Sequence, residues 1–433
     1  MNEIKAKMAK LSEIADLTVG YVGTMGKEYS DYGVAFLRSL NIKPYSFDLS
    51  DLKYISDEFH QKLRKSELHK DDVVIVRTGI PGTCAVIPTE LDGCNCADLV
   101  IVRPNVTLVD PHYLCAFINS WGKAQVANSK VGAVQKHFNV TAAEEMIIPL
   151  FDLSTQRTIG KVLHDLNSKI SYNKSISSTL ESLTKTIYDY WFVQFNFPDE
   201  NGKPYKSSGG KMVWNEELKR EIPDGWRVNS ANTYLNIVKG ISYSANDIIE
   251  KGIKMINLNS FNEDGSYKVE GIKIFSRNVS DEKVLLPNDL IMCATQQTNI
   301  DLSGRKNVIG KTLLVPNLDG KMTFSMDVVK LTSHKKKYLP FFKYQFGLPY
   351  AHKYIVGYAN GTKIKHLDVV NALSLPVAMP GKNSSLIDDF SDYAFAVNNR
   401  ISMIIRENEK LASLRDFLLP MLMNGQVKVG GEQ

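Results

Sequence analysis

The sequence has few cysteines and no long apolar run. Its 433 residues include five cysteines, and Cys94 and Cys96 form a close pair without a second pair at zinc-ligand spacing. This small, odd number predicts free thiols in a reducing compartment. No run of eighteen apolar residues predicts a membrane span, and the first residues lack the apolar segment of a signal peptide. We therefore expect a cytoplasmic protein without a structural metal.

The sequence also lacks the motifs of common enzyme chemistries. It contains no dinucleotide-binding fingerprint, no HExxH zinc motif and no GxSxG nucleophile elbow. It also has neither the Asn-Pro-Pro-Tyr nor the Asp-Pro-Pro-Tyr motif that an amino-methyltransferase needs. Residues 304–312 resemble a phosphate-binding loop, but the glycine spacing is wrong and an apolar strand follows instead of a helix. We expect a chain with no catalytic site, cofactor or metal of its own.

Length and charge predict several domains with unequal electrostatics. A chain of 433 residues is too long for a single core. Residues 1–150 contain 16 Lys and Arg against 18 Asp and Glu, whereas residues 226–380 contain 20 against 12. The second segment therefore has the stronger electrostatic case for binding a polyanion.

The strongest positive signal is a long amphipathic stretch at residues 153–192. Its apolar side chains recur at steps of three and four, as on one face of a helix, and so narrow a stripe needs a partner helix. A shift of 231 places residues 167–171 on residues 398–402 and Leu180 on Leu411. We therefore predict a second long helix that pairs with the first. The predicted core of the pair is Leu163, Leu166, Ile170, Leu180, Leu183, Ile187, Ile401, Leu411, Leu414 and Leu418.

The globular segments before the two helices also match each other. The matched stretches are residues 72–78 with 289–295, 97–100 with 326–329, and 132–137 with 361–366. A repeat at this scale indicates a duplicated domain and not a solenoid. Between the halves, residues 196–225 have the proline, serine and glycine content of a linker.

The predicted fold is mixed α/β, with two repeated domains separated by two long helices. The helices are expected to pair as an antiparallel coiled coil, because this topology places the domains at opposite ends of a rod with pseudo-twofold symmetry. The predicted boundaries are a first domain at residues 1–150, a long helix at 151–195, a linker at 196–225, a second domain at 226–380, a long helix at 381–425 and a tail at 426–433.

Polar loops follow the matched apolar strands in both halves. Glutamine and asparagine can bind adenine bidentately and arginine can bind guanine, while lysine and histidine can contact phosphate. A solvated polar loop is the alternative for each residue taken alone, but recurrence at matched positions favours a binding role. The candidate DNA contacts of the first half are Arg77, Thr78, Gly79, Lys130, Gln135, Lys136 and His137. Those of the second half are Lys239, Thr295, Gln296, Gln297, Asn299, Arg305, Lys306, Thr362, Lys363, Lys365 and His366.

This layout resembles the specificity subunit of type I restriction–modification systems. The resemblance lies in the two halves, each ending in a glycine-and-lysine loop, a proline-containing strand and a long helix, and in the linker, particularly residues 222–226. It covers nearly the whole chain. The second helix departs from the family's usual Pro-x-x-Glu-Gln entrance, since residues 381–385 are Gly-Lys-Asn-Ser-Ser.

The resemblance implies a non-catalytic subunit with two target-recognition domains. Each domain would read one half of a bipartite sequence in double-stranded DNA. The helices would set the spacer and dock two modification subunits, which carry S-adenosylmethionine and methylate adenine, and restriction subunits would then join to cleave.

Two alternatives come from other functional classes. The first is a stand-alone DNA methyltransferase or nuclease, which the missing motifs oppose and which binding of S-adenosylmethionine by the isolated chain would favour. The second is an assembly scaffold, which a lack of sequence-selective DNA protection by the full complex would favour.

Overall fold

A computed structural model describes residues 6–128, 138–262, 264–297, 308–381, 384–423 and 425. The chain divides into two compact units. Unit 1 comprises Met1–Lys174 and Asn408–Gln433, and unit 2 comprises Ser175–Glu407. Each long helix therefore contributes residues to both units.

A four-stranded antiparallel sheet forms the centre of unit 1. Its strands lie in the order Ala15–Val19, Leu99–Pro104, Val73–Val76 and Cys84–Val86. Successive side chains of a strand point to opposite faces, so Val73 and Ile75 enter one core cluster while Val74 and Val76 enter another. Burial on both faces explains the continuous β-branched run, and the buried strand predicted at residues 73–76 is confirmed.

The remaining elements of unit 1 surround this sheet. A second sheet has the order Asn95–Cys96, Val34–Leu37, Lys53–Ile55 and Tyr29–Ser30, and its first two strands are parallel. Two further antiparallel pairs are Lys7–Lys10 with Ile147–Leu150 and Ile42–Lys43 with Ser46–Phe47. The shorter helices are Leu11–Ile14, Asp57–Lys62, Pro111–Asn119, Gly122–Asn128 and Val140–Glu144.

Unit 2 also contains a four-stranded antiparallel sheet with two buried central strands. Its order is Asn236–Lys239, Val328–Thr332, Leu290–Cys293 and Thr312–Leu314. Leu290 and Met292 face one core cluster, whereas Ile291 and Cys293 face the other. The strand order, pairing directions and two-sided burial are the same as in the central sheet of unit 1.

Other strands of unit 2 form smaller sheets. One has the order Lys273–Phe275, Ile248–Ile256 and Met322–Phe324, the last two being parallel. Another has the order Thr295–Gln297, Ile364–Leu367 and Ala359–Asn360. Two antiparallel pairs are Met212–Asn215 with Arg220–Pro223 and Arg227–Ser230 with Pro376–Met379. The shorter helices are Tyr338–Gly347, Pro349–Val356 and Val369–Ala372.

The first long helix is Leu153–Tyr188, continued by a π-helical turn at Asp189–Val193. Its Gly160 lies where a Cβ atom would come within 2.3 Å of Asp110 Oδ1. That carboxylate caps the helix Pro111–Asn119 by accepting from the Tyr113 amide, so a glycine permits the close approach.

The second long helix is Leu386–Met423. Its last turns, at Leu419 and Leu422, share the core of unit 1 with Ile159 and Leu163 of the first long helix. Its first turns share the core of unit 2 with the end of the first long helix, where the ring of Phe390 lies 5.5 Å from that of Tyr188. Across the parts of the chain that the structure describes, no helix combines the length and apolar character needed to cross a bilayer.

The helix faces differ from the predicted apolar stripe in two places. Leu183 and Leu414 are 48% and 45% exposed, so their assignment to a buried helix-pair core is corrected. Polar residues occupy buried positions instead: Asn173 is 2% and Thr184 0% exposed. Asn173 Nδ2 donates to Asn408 Oδ1 at 2.9 Å, and Thr184 Oγ1 donates to the carbonyl of Leu180, so both side chains are satisfied. Of the other predicted core residues, Leu163 is buried, and the half-buried ones are Leu166, Ile170, Leu180, Ile187, Ile401, Leu411 and Leu418.

Candidate nucleic-acid interface

Two of the predicted binding segments lie side by side in unit 2. The strand Thr295–Gln297 pairs antiparallel with Ile364–Leu367, so that Thr295 is opposite His366 and Gln296 is opposite Lys365. The amide of Leu367 donates to the carbonyl of Ala294 at 2.8 Å, just before this strand. His366 is exposed and Lys365 is half-buried. The fold thus joins two segments that are about seventy residues apart in the sequence into one polar edge.

The side chains of Thr295 and Gln296 hold this edge in place. Thr295 Oγ1 donates to Asp327 Oδ1 at 2.8 Å. Gln296 Oε1 accepts from the amides of Val308 and Ile309 at 2.8 and 3.2 Å. These two backbone hydrogen bonds occupy the acceptor sites of the oxygen, so in this structure Gln296 positions the edge, and its bidentate contact with adenine stays a prediction.

Unit 1 contains the same threonine–aspartate contact. Thr78 Oγ1 donates to Asp98 Oδ2 at 2.7 Å, and Arg77 Nη1 donates to Asp98 Oδ1 at 3.0 Å. The Phe138 amide donates to the carbonyl of Arg77 at 3.1 Å, as the Leu367 amide does to Ala294. The Arg77 side chain is 17% exposed and forms an ion pair with Asp98, and its contact with guanine stays a prediction. Thr78 contacts the same carboxylate, and its role as a DNA contact also stays a prediction.

The other candidate residues have varied surroundings. Gly79 is exposed in a turn, at a φ of +82°. Lys239 is exposed at the end of its strand, and Thr362 and Lys363 are exposed just before the strand Ile364–Leu367. For Gln297 only the backbone is described. The candidates outside the described residues are Lys130, Gln135, Lys136, His137, Asn299, Arg305 and Lys306.

Sequence reasoning missed the role of Asp98 and Asp327. These two carboxylates organise the candidate edges, yet they lie 20 and 32 residues after the threonines they bind. A signal was present, because residues 97–100 match residues 326–329 in the sequence comparison. The match gave a structural equivalence, but no local motif indicated what the carboxylates contact.

Comparison with known proteins supports the family resemblance. No family model matches the chain. The type I restriction enzyme MjaIX specificity subunit of Methanocaldococcus jannaschii is 23% identical over 291 residues, which are 66% of this chain and 62% of that relative. The chain therefore spans less than two thirds of this relative's length. A protein named as the MjaX specificity subunit of the same organism is 22% identical over 424 residues, covering 94% of this chain and 90% of the relative.

A solved structure extends the likeness to the fold. The crystal structure of a type I restriction–modification system S subunit from M. genitalium matches with a TM-score of 0.60 and 12% identity, covering 98% of this chain and 97% of that one. The chain is a homologue of type I restriction enzyme specificity subunits. Its two long helices and mixed α/β units fit that assignment.

The described part of this specificity-subunit homologue contains no metal centre. Within the described ranges, no group of three histidine, cysteine, aspartate or glutamate side chains could hold an ion. All five cysteines are buried and free. Burial raises the pKa of the Cys94 and Cys293 thiols to about 12, so these sulfurs stay protonated at neutral pH and are poor nucleophiles and metal ligands.

Proposed function

We propose that this chain is the non-catalytic DNA-specificity subunit of a type I restriction–modification complex. The observation that carries the proposal is the anchored polar edge that occurs in both units. In each, a threonine after a buried central strand is fixed by an aspartate, and a later segment pairs with the residue before that threonine. Such a frame holds nearby side chains rigidly, as sequence readout by base contacts requires.

Each unit would contribute one target-recognition domain, at residues 1–150 and 226–380, with residues 196–225 as the linker. The equal strand orders of the central sheets support this duplication. A parallel pair of strands also recurs in a second sheet of each unit. Asn95 is opposite Phe36 in unit 1, and Met322 is opposite Lys254 in unit 2. Two related domains in one chain would read the two halves of a bipartite target, related by a pseudo-twofold axis.

The long helices would pair antiparallel. Asn173 contacts Asn408, and Asn167 accepts from Arg415 Nη1 at 3.0 Å. Moving six residues back along the first helix therefore moves seven residues forward along the second. This order of contacts supports helices that run in opposite directions.

An antiparallel pair of this length would act as a spacer. The first helix has 36 residues, which correspond to about 54 Å at ~1.5 Å per residue. One turn of B-DNA is about 34–36 Å. Domains held near the ends of such a helix would contact two separate blocks of sequence, with unread base pairs between them.

Exposed apolar side chains on the helices would dock the modification subunits. Tyr172 and Leu183 are 69% and 48% exposed on one face of the first helix, and Met403 and Leu414 are 52% and 45% exposed on one face of the second. A shift of 231 maps the first pair onto the second. Two related apolar faces fit two copies of one partner.

In this assembly the modification subunits would carry S-adenosylmethionine, restriction subunits would join them, and the complex would act on double-stranded DNA in the cytoplasm. The chain itself would supply recognition and geometry. Its basic second domain, with 20 Lys and Arg against 12 Asp and Glu in residues 226–380, would add a salt-dependent attraction to the phosphate backbone.

The test compares two equivalent histidines in the assembled complex. His366→Ala and His137→Ala change matched positions of the two halves, and methylated sites are mapped for each variant by methylome sequencing. Each substitution should relax one block of the bipartite target and leave the other block and the spacer unchanged. A variant that alters both blocks equally, or a wild-type complex without sequence-selective methylation, would contradict the proposal.

A further inference from the structure

Unit 2 has an open pocket beside its candidate recognition edge. The cavity volume is about 660 Å³, and its lining includes Tyr243, Lys273, Met326 and Asp327. Asp327 is the residue that accepts the Thr295 hydroxyl. The pocket is therefore one hydrogen bond away from the strand Thr295–Gln297.

Aromatic and basic side chains fix the pocket wall. Lys273 Nζ donates to Tyr243 Oη at 2.6 Å and lies 4.8 Å from the centre of that ring. Arg277 Nη2 donates to the Ser242 carbonyl at 2.8 Å, and Arg277 Nε lies 3.0 Å from Asp247 Oδ1. The Arg277 contacts hold the loop that carries Tyr243, and the Lys273 ammonium leaves one positive charge at the pocket, where it would favour a nearby phosphate.

The Asp327 carboxylate has neutral hydrogen-bond partners. One oxygen accepts from Thr295 and the other from Ser325 Oγ at 3.3 Å, and no cation among the described residues forms an ion pair with it. A carboxylate oxygen has more than one acceptor site. Acceptor capacity thus remains at the pocket.

The equivalent carboxylate of unit 1, Asp98, has a charged partner. Asp98 accepts from Thr78 but also forms an ion pair with Arg77. The residue that corresponds to Arg77 is Ala294, because the two carbonyls accept the equivalent amide bonds from Phe138 and Leu367. Alanine cannot supply the cation, so, among the residues that the structure describes, the same frame holds a carboxylate with a cationic partner in unit 1 and one without such a partner in unit 2.

We propose that the Asp327 pocket binds the exocyclic amino group of a DNA base, and that Asp327 is a specificity-determining residue of the second domain. The amino groups exposed in the major groove are N4 of cytosine and N6 of adenine, and a carboxylate is a suitable acceptor for either. Thymine and guanine present only acceptors in the same groove position, which a carboxylate repels. This inference rests on the proposed function, because it assumes that unit 2 contacts DNA.

The first experiment needs no substitution in the protein. The wild-type complex is titrated with its target duplex and with duplexes in which single cytosines are replaced by 2-pyrimidinone or single adenines by purine, which lack the amino group. Loss of one amino group in the block read by unit 2 should weaken binding about tenfold or more. The replaced base that gives this loss identifies cytosine or adenine as the ligand.

Asp327→Asn supplies the matched test. The amide keeps the volume and one acceptor oxygen for Thr295, but it presents a donor in place of the second oxygen. With this variant, removal of the amino group at that one position should no longer weaken binding about tenfold, and thymine or guanine should be tolerated there. Asp98→Asn is the control. It changes the equivalent carboxylate of unit 1, which is paired with Arg77, so the DNA block read by unit 2 should stay unchanged. Thermal unfolding of both variants checks that they fold.

The outcomes separate this inference from the proposed function. A wild-type complex that binds all sequences equally would contradict the proposed function. A sequence-selective wild-type complex that tolerates removal of every amino group in the block, or a folded Asp327→Asn variant with an unchanged target, would overturn the pocket assignment alone.

Discussion

A charged contact inside unit 2, between the end of the first long helix and the helix Tyr338–Gly347, offers a test of how that part of the helix is held. Lys343 Nζ lies 2.8 and 2.7 Å from the two oxygens of Glu181, and Tyr344 Oη donates to Glu181 Oε2 at 3.0 Å. The side chain of Lys343 is 11% exposed and that of Glu181 is 30% exposed. Burial, the largest single influence, lowers the pKa of Lys343, but its contacts with Glu181 and Tyr344 together outweigh burial, so the net shift is upward and the ammonium stays charged.

Glu181→Gln should destabilise unit 2 because it leaves the Lys343 ammonium buried without its counter-charge. Removing one partner of a fully buried pair costs about 3–5 kcal/mol. Since Glu181 keeps partial access to water, we expect about 2 kcal/mol here. Lys343→Met should cost about 1 kcal/mol, because methionine preserves most of the apolar stem. The double variant should also cost about 1 kcal/mol, which gives a coupling of about 2 kcal/mol.

Urea denaturation followed by tryptophan fluorescence is a suitable assay, because Trp191 packs against Phe390 in the same core cluster. Lys185→Met is the matched control: its ion pair with Asp189 is on the same helix but the lysine side chain is 53% exposed, so the cost should stay below about 0.5 kcal/mol. Additive single variants, with a coupling near zero, would refute the argument that this contact anchors the helix to the domain.

Three further predictions concern pH, assembly and spacer. Burial and the neighbouring His164 lower the pKa of His112 below 6.5, so the unfolded chain binds more protons and stability should fall as pH drops below that value; His112→Gln should flatten this dependence in urea titrations. Leu183→Lys or Leu414→Lys should leave unfolding within about 0.5 kcal/mol of wild type but weaken binding of modification subunits in pull-down titrations. Four residues inserted near Ser175 should move the second domain by about 6 Å and lengthen the methylated spacer by about one to two base pairs.

Each of these predictions has a contrary result. A stability profile that is unchanged by His112→Gln would exclude this histidine as the titrating group. Val370→Lys changes another exposed apolar residue, which is 67% exposed and belongs to the short helix Val369–Ala372, and equal loss of assembly in this variant would remove the case for the helix faces. Active complexes with the insertion and an unchanged spacer would show that the helices do not set the distance.

Local patterning predicted the elements that depend on continuous burial. The run Val73–Val76 is apolar at every position because both faces of the central sheet are covered, and its sequence alone was sufficient to identify a buried strand. The long helices were predicted for a similar reason, since apolar spacing persists over many turns. The helices extend from Leu153 to Tyr188 and from Leu386 to Met423.

Patterning failed where polar side chains are buried with partners. Asn173 and Thr184 take inward positions that a stripe of apolar residues does not reveal, because one bonds to Asn408 and the other to its own helix backbone. Leu183, by contrast, is apolar but exposed. Hydrophobic spacing identifies a helix and an approximate face, while the exact face depends on hydrogen bonds that form only in the folded chain.

Contacts between residues that are far apart in the sequence also determine the surroundings of the candidate interface residues. Arg77 has the right chemistry for guanine, and the sequence alone did not show that its guanidinium donates to Asp98 within the protein. A hydrogen bond to a charged group contributes about 1.5–3 kcal/mol, and the threonine–aspartate bond occurs in both units whether the preceding residue is Arg77 or Ala294. Because the frame does not depend on that residue, substitutions beside it can change the exposed chemistry without removing the support. The two units therefore share one mode of support and differ in the side chains beside it, which is the arrangement that the proposed reading of two different half-sites would need.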